Sequence, residues 1–423
     1  MKYSIPRGTV DLLPESTKTW QYLEQLLRTI ASNYNVQEIR TPVFEMTELF
    51  QRSVGETTDV VNKEMYTFTD KGDRSLTLRP EGTAGVVRSF VENKLYVNPD
   101  KLTKLYYMGP MFRYERPQKG RQRQFHQFGV EMLGLESPYV DVECMNMAVT
   151  IVESLGLRNV KLHINTLGDE ESRENYKVAL KSHFKPVLPC LCPDCQARYE
   201  KNPLRILDCK VDKDNPSFKT APKTQDFLTD SAKAHFEKVC ALLDDLEIDY
   251  EVDPNLVRGL DYYCHTVFEV ISEDPELGNA ATLGGGGRYN SLVEEIGGPS
   301  TPGVGFAFGM ERLAIALKNK QDVAEEGIDV YIMPMGDEAR DLAVQIISML
   351  RANGFRCDMD YAGRGMKAMF KTADRMKANY TMILGEEEVK NEVVNIKNSV
   401  TREQVTIDLG KIVEFLEGEY GNE

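Results

Sequence analysis

The sequence predicts an α+β N-terminal part built on antiparallel strands, a helical insertion within it, and a separate α/β domain at the C-terminal end. Three observations carry this. Two β-like runs, 105–114 and 124–133, flank a polar turn containing Pro117 and Gly120, the pattern of a long antiparallel hairpin. Residues 169–243 change to helical, Lys/Glu-rich sequence around a cysteine cluster. Beyond 329 the apolar period alternates between two and about 3.6 residues, as strands alternating with helices require.

In chain order, Trp20, Leu23, Leu26, Leu27, Ile30 and Tyr34 recur at three- and four-residue steps, an amphipathic helix over 15–34. Residues 36–43 read as a strand, and Pro42 near its end confines it to a sheet edge or an interface. In the hairpin, Arg113 and Glu115 share one strand face and Phe112 and Tyr114 the other. On the return strand Gln127 and Glu131 share a face, so a cation, an amide and a carboxylate line one open surface. The loop between is charged and mobile. Strand-like segments resume at 248–257, 266–271 and 303–309, followed by a helix from Met310. Arg258 lies in an apolar strand context, 256–263, where a lone guanidinium is costly without a partner. Residues 318–328 form a polar linker. Strands at 330–335, 355–361 and 380–384 then alternate with helices at 338–352 and 366–378, before two short strands and a helix. The domains are 1–320, carrying the insertion 169–243, and 329–423.

Hydrophobic residues at 41% and charged residues at 28% suit a globular chain with a sizeable core. The net charge of −15 argues against a protein that coats DNA. Two local patches run the other way: 113–123 carries a net +4 and 356–377 a net +3. No run approaches the roughly 18 apolar residues of a membrane span. The absence of an apolar leader and the eight cysteines point to reduced thiols and the cytoplasm. Four of those cysteines, Cys190, Cys192, Cys195 and Cys209, are clustered and could supply a tetrahedral zinc site. The usual second C-x-x-C is missing, so free or packed thiols are the favoured reading and structural zinc the alternative.

Two glycine-rich runs are not nucleotide fingerprints. At 303–309 the third glycine of G-x-G-x-x-G falls on Phe308, and no Lys-Ser/Thr follows 284–289 (GGGGRY).

The order of the motifs is more specific than any one of them. Residues 40–45 (RTPVFE), 112–115 (FRYE) with its loop, and 305–312 (GFAFGMER) resemble the three class II aminoacyl-tRNA synthetase motifs. Residues 258–263 (RGLDYY) with 266–269 (TVFE), 285–289 (GGGRY) and 77–83 (TLRPEGT) resemble the histidyl-tRNA synthetase family, over nearly the whole chain. The resemblance implies a six-stranded antiparallel catalytic sheet flanked by helices, an insertion between the second and third motifs, and a C-terminal anticodon-binding α/β domain. It also implies ligation of L-histidine to tRNA(His) through a histidyl-adenylate, with ATP and Mg²⁺ as substrate, by a homodimer with no membrane or DNA partner.

Arg113 and Arg258 are then the catalytic arginines at the α-phosphate. Arg113, Glu115 and Arg312 bind ATP, and Glu81, Gly82, Thr83, Gln127, Glu131, Tyr262 and Tyr263 bind histidine. Arg116, Gln118, Lys119, Arg121 and Arg123 meet the tRNA acceptor end. The rival is a non-catalytic, synthetase-like regulatory subunit of histidine biosynthesis, in which such motifs are eroded.

Overall fold

The computed structural model describes residues 3–420 apart from 56–57, 59, 99, 208, 210, 213, 276, 279–280 and 319–326, and it divides into two units, Met1–Gln321 and Asp322–Glu423. The linker expected at 318–328 lies mostly outside the described residues.

The strands of the first unit are β1 (Gln37–Glu38), β2 (Phe44–Met46), β3 (Tyr66–Thr69), β4 (Ser75–Leu78), β5 (Thr103–Phe112) and β6 (Gln124–Leu133). There follow β7 (Val160–Thr166), β8 (Tyr250–Val252), β9 (Cys264–Ser272), β10 (Thr282–Tyr289) and β11 (Gly303–Gly309). Eight of them form one sheet in the order β1-β5-β6-β11-β10-β9-β7-β8, and β2-β4-β3 form a small antiparallel sheet. The six inner strands of the large sheet run antiparallel to one another, as the resemblance implied. The short edge strands β1 and β8 pair parallel to β5 and β7.

Alternation along the inner strands separates two faces. Phe128, Val130, Phe268, Val270, Phe306 and Phe308 lie in the main core with Leu27, Met145, Val239 and Leu313 of four helices, Pro14–Asn33, Pro138–Ser154, Asp230–Asp245 and Met310–Lys318. Each such side chain contributes about 1.5–3 kcal/mol on full burial. The alternate positions carry Gln127, Gly129, Glu131, Gly305, Ala307, Gly285 and Gly287, so the opposite face is floored with small residues and stays open. On the helix side Arg288 of β10 is fully buried and donates to Asp141 at 2.6 Å and to the carbonyls of Leu135 and Ser137. Removing either partner of such a pair costs about 3–5 kcal/mol.

Three expectations are corrected. The strand at 36–43 is broken: two residues join β5, the chain leaves before Pro42, and β2 enters the other sheet. The strand at 248–257 stops at Val252. Residues 253–263 form a loop that Asn165 of β7 holds by donating to the carbonyl of Leu256 at 3.0 Å, so Arg258 sits on a loop rather than a strand. The hairpin strand ends at Phe112, which places Arg113 and Glu115 beyond it. The loop that follows folds back on itself. Gln118 and Arg121 exchange backbone hydrogen bonds, the Arg123 amide donates to Gly8, and the Arg123 guanidinium lies 3.8 Å over the Tyr114 ring.

The stretch 169–243 divides by packing. Helix Asp230–Asp245 belongs to the main core through Phe236, Val239 and Leu243. Helices Glu170–Phe184 and Pro193–Lys201 and the turn Pro203–Ile206 build a second core, in which Tyr176, Leu180, Cys195 and Ile206 join Tyr262 and Tyr289.

The second unit holds β12 (Val330–Pro334), β13 (Cys357–Met359), β14 (Tyr380–Leu384), β15 (Val393–Asn398) and β16 (Gln404–Asp408) in the order β13-β12-β14-β15-β16. The first three in that order are parallel and the last two antiparallel, a mixed sheet. In its basic stretch Arg364 is tied to buried Asp360 at 2.5 Å. Lys367, Lys371 and Arg375 are exposed at four-residue steps, a stripe along helix Met366–Arg375.

Candidate active site

The open face of β6, β11, β10 and β9 forms the floor of a cavity of about 460 Å³, walled by residues around 81–83, the 113–125 segment and the 258–263 loop. Its two ends differ in chemistry.

One end is acidic and phenolic. Glu131 projects from β6 and is buried; Thr83 donates its hydroxyl to Oε1 at 2.7 Å and Tyr289 donates its hydroxyl to Oε2. Burial raises the Glu131 carboxyl to about 8, against the pull of those two donors. Glu81 is also buried and accepts from the amides of Thr83 and Ala84 at 2.7 and 2.8 Å, so it caps the helix Thr83–Glu92 while facing the cavity. Burial raises its carboxyl too, opposed by those amides. Tyr262 and Tyr263 pack with ring centroids 4.6 Å apart and planes tilted by 55°, and Tyr262 meets Tyr289 edge-on at 5.6 Å. Gln127 lines the cavity with its side-chain oxygen buried and lacking a hydrogen-bond partner, an acceptor placed for a ligand's N–H.

The other end is cationic. Arg113 donates to the carbonyl of Pro80 at 2.8 Å and lies 5.4 Å over the Phe125 ring. Arg312 donates to the carbonyls of Gly120, at 3.2 Å, and Thr282. Burial, with Arg121 and Arg113 close by, lowers the Arg312 guanidinium below its usual range, a site that favours an incoming anion. Glu115 stands between Arg121 at 3.4 Å and Arg113 at 3.8 Å. Arg258 pairs with Glu269 of β9 and lies over Gly285, where a Cβ would come 2.9 Å from its Nη1. An adjoining cavity of about 240 Å³ is shared by Arg113, Arg121, Arg312 and a fourth arginine, Arg205 of the insertion.

A histidyl-tRNA synthetase family model matches residues 8–168 and 201–313, and an anticodon binding domain model matches 329–419. The histidine–tRNA ligase of Oceanobacillus iheyensis is 54% identical over 419 residues, 99% of this chain and 98% of that protein. That of Bacillus subtilis is 52% identical over 98% and 99% of the two chains. The crystal structure of apo histidyl-tRNA synthetase from S. aureus superposes with a TM-score of 0.84 at 48% identity, covering 98% of this chain and all of that one. The chain belongs to the histidyl-tRNA synthetase family.

Of the residues assigned to this family's site, Glu81, Thr83, Arg113, Glu115, Gln127, Glu131, Arg258, Tyr262, Tyr263 and Arg312 line the one cavity. Gly82 lies beside it, with the Tyr107 ring where a Cβ would be. Of the loop residues assigned to tRNA, Arg121 faces the cavity, while Arg116, Gln118 and Lys119 are exposed and Arg123 is stacked on Tyr114. Sequence reasoning missed Tyr107, Arg205, Glu269 and Tyr289 as site residues. Glu269 and Tyr289 end two of the motifs already quoted; Arg205 carried no comparable signal. The cysteine set is also corrected: Cys190 is exposed and outside the group, and Asp212 joins Cys192, Cys195 and Cys209.

Proposed function

We propose that this chain ligates L-histidine to tRNA(His) through a histidyl-adenylate. The observation that carries the reading is one cavity with a carboxylate–phenol end and an arginine end. Adenylation needs those two chemistries side by side. The histidine carboxylate attacks the α-phosphate of ATP, forming the mixed anhydride and releasing pyrophosphate; a tRNA ribose hydroxyl then attacks the carbonyl and AMP leaves. Little proton transfer is needed in the first step, so positioning and charge stabilisation set the rate.

Arg113 and Arg258 act at the α-phosphate, and Arg312 with Arg121 at the distal phosphates. Glu115 and Glu269 are hard oxygen donors among these cations and suit the Mg²⁺ that travels with ATP. Gln127, Glu81 and Thr83 receive the α-ammonium. The imidazole is read by Glu131 and Tyr263, with Tyr289 orienting the carboxyl. An amino acid lacking ring nitrogens would leave these buried groups unpaired, which can discriminate by about 10⁴–10⁵.

Exposed Arg116, Gln118 and Lys119, with Arg123, face the acceptor end of tRNA, and the basic stripe of the second unit faces the anticodon arm. The chain works as a homodimer in the cytoplasm. Supporting the dimer, the small sheet exposes Phe44, Met46 and Phe68, with the two phenyl rings 6.4 Å apart. The regulatory-subunit reading is not favoured, since every adenylation residue it would dispense with is present.

The test is ATP–pyrophosphate exchange with each standard amino acid in turn. Histidine alone should support exchange; no exchange, or exchange with another amino acid, would overturn the reading.

A further inference from the structure

We propose that Cys192, Cys195, Cys209 and Asp212 bind a zinc ion, and that this ion sets the turn carrying Arg205 to the cationic end of the cavity.

The ligand atoms of these four residues all lie within 4.8 Å of one another. Zn–S bonds of about 2.3 Å in a tetrahedron put two sulfurs about 3.8 Å apart. Cys192 Sγ and Cys209 Sγ are 3.7 Å apart, and Cys209 Sγ is 3.6 Å from Asp212 Oδ2. The spacing forms two knuckles, Cys192-x-x-Cys195 at the start of helix Pro193–Lys201 and Cys209-x-x-Asp212, so a carboxylate stands where the sequence lacked a second C-x-x-C.

The surroundings are those of a built site. The Cys192 amide donates to Asp212 Oδ2 at 2.9 Å, joining the knuckles. The Asp212 amide donates to Cys209 Sγ at 3.4 Å, a bond that strengthens when the sulfur is a thiolate. Cys195 and Cys209 are buried. Three thiolates and one carboxylate in a closed tetrahedron select zinc over the hard cations and leave no open position for catalysis. On binding, the three thiols release their protons to solvent, so uptake is pH-dependent.

The ion would close the loop between the knuckles. Inside that loop Arg198 donates to the carbonyl of Arg205 at 3.1 Å, and Asn202 donates to Asp261 of the 258–263 loop at 3.0 Å. Arg205 is 5% exposed and lines the arginine cavity. Metal binding is independent of how that cavity is used; its effect on ATP rests on the adenylation reading.

The experiment is elemental analysis of the full-length protein purified without chelator, with thiol titration before and after zinc is removed and restored. Stoichiometric zinc is expected, with three thiols protected by it. Cys190→Ser should keep the metal, Cys195→Ser should lose it, and Asp212→Cys should keep it and show thiolate-to-cobalt absorption after cobalt exchange. Chelated wild-type protein should show an ATP KM raised about tenfold, with histidine binding little changed, and zinc alone should restore it. Wild-type protein that takes up no zinc, freely reactive cysteines, a Cys192–Cys209 disulfide, or equal metal loss in Cys190→Ser would each overturn the site. Bound zinc whose removal leaves the ATP KM unchanged would overturn its link to Arg205.

Discussion

The carboxylate of Glu131 rests on the backbone of Gly305: a Cβ at 305 would lie 2.0 Å from Glu131 Oε2 and 2.4 Å from the Val130 carbonyl oxygen. The two residues face each other across β6 and β11, so the pocket's deepest carboxylate depends on a hydrogen atom in the next strand. Gly305→Ala should lower stability by roughly 1–3 kcal/mol and weaken histidine binding at least about tenfold by expelling Glu131. Thermal melts with histidine titration check it; unchanged binding would mean that Glu131 does not touch the amino acid.

Tyr289→Phe removes one of the two donors on Glu131 without changing ring volume. A hydrogen bond to a neutral carboxyl is worth about 0.5–1.5 kcal/mol, so the histidine KM should rise about two- to tenfold while the ATP KM stays nearly unchanged. Exchange kinetics with each substrate varied separately show the split. An equal rise in both would assign Tyr289 to folding alone.

The pH dependence has a definite sign. Burial raises the folded-state carboxyl of Glu131 from 4.5 to about 8, so the folded form holds its proton more tightly than the unfolded one. That stabilisation is complete below the unfolded value and is lost as pH rises through the folded one. Ligand-free protein should therefore melt lower as pH rises from about 5 to about 8.5, and Glu131→Gln should flatten the slope in part, because Glu81 is shifted the same way by burial. Parallel curves for variant and wild type would refute the shift.

Arg258→Ala should slow adenylate formation by about 10²–10³ while histidine binding stays within about tenfold, since the cation matters most as charge develops on phosphorus. Its partner Glu269 is left unpaired in the cavity, so Glu269→Gln in the same background should recover any lost stability without recovering rate. Pre-steady-state adenylation beside equilibrium histidine titration decides it.

Arg121 and its loop neighbours should separate by step. Arg121 lines the cavity beside Arg312 and Glu115, so Arg121→Ala should raise the ATP KM. Arg116→Ala with Lys119→Ala, both exposed, should leave exchange intact and lower the salt slope of tRNA binding by roughly 0.7–0.9 per lost phosphate contact. Equal salt slopes for wild type and the double variant would remove those two from the RNA contact.

Which face of each strand is buried was legible in the chain itself. Phe-x-Phe in β11 and Phe-x-Val in β6 declare the core side, because period-two alternation is a local property that a one-residue slip would invert. Helix Pro14–Asn33 and the strand–helix alternation of the second unit follow from periodicity in the same way. The breaks were harder to read. Pro42 marked an edge but not a change of sheet, and the apolar run before Arg258 read as strand although Asn165 holds it as a loop.

By itself the sequence determined the family motifs, the two-part architecture, and a strand face bearing Gln127 and Glu131. Tertiary structure alone decided which side chains meet there. Tyr289 reaches Glu131 across 158 positions of chain, Arg205 arrives from the insertion, and Asp212 takes the place expected of Cys190. The physical reason is range. Periodicity reports each residue's own environment within a few positions, whereas contacts between distant segments depend on register and loop closure, which no local pattern encodes.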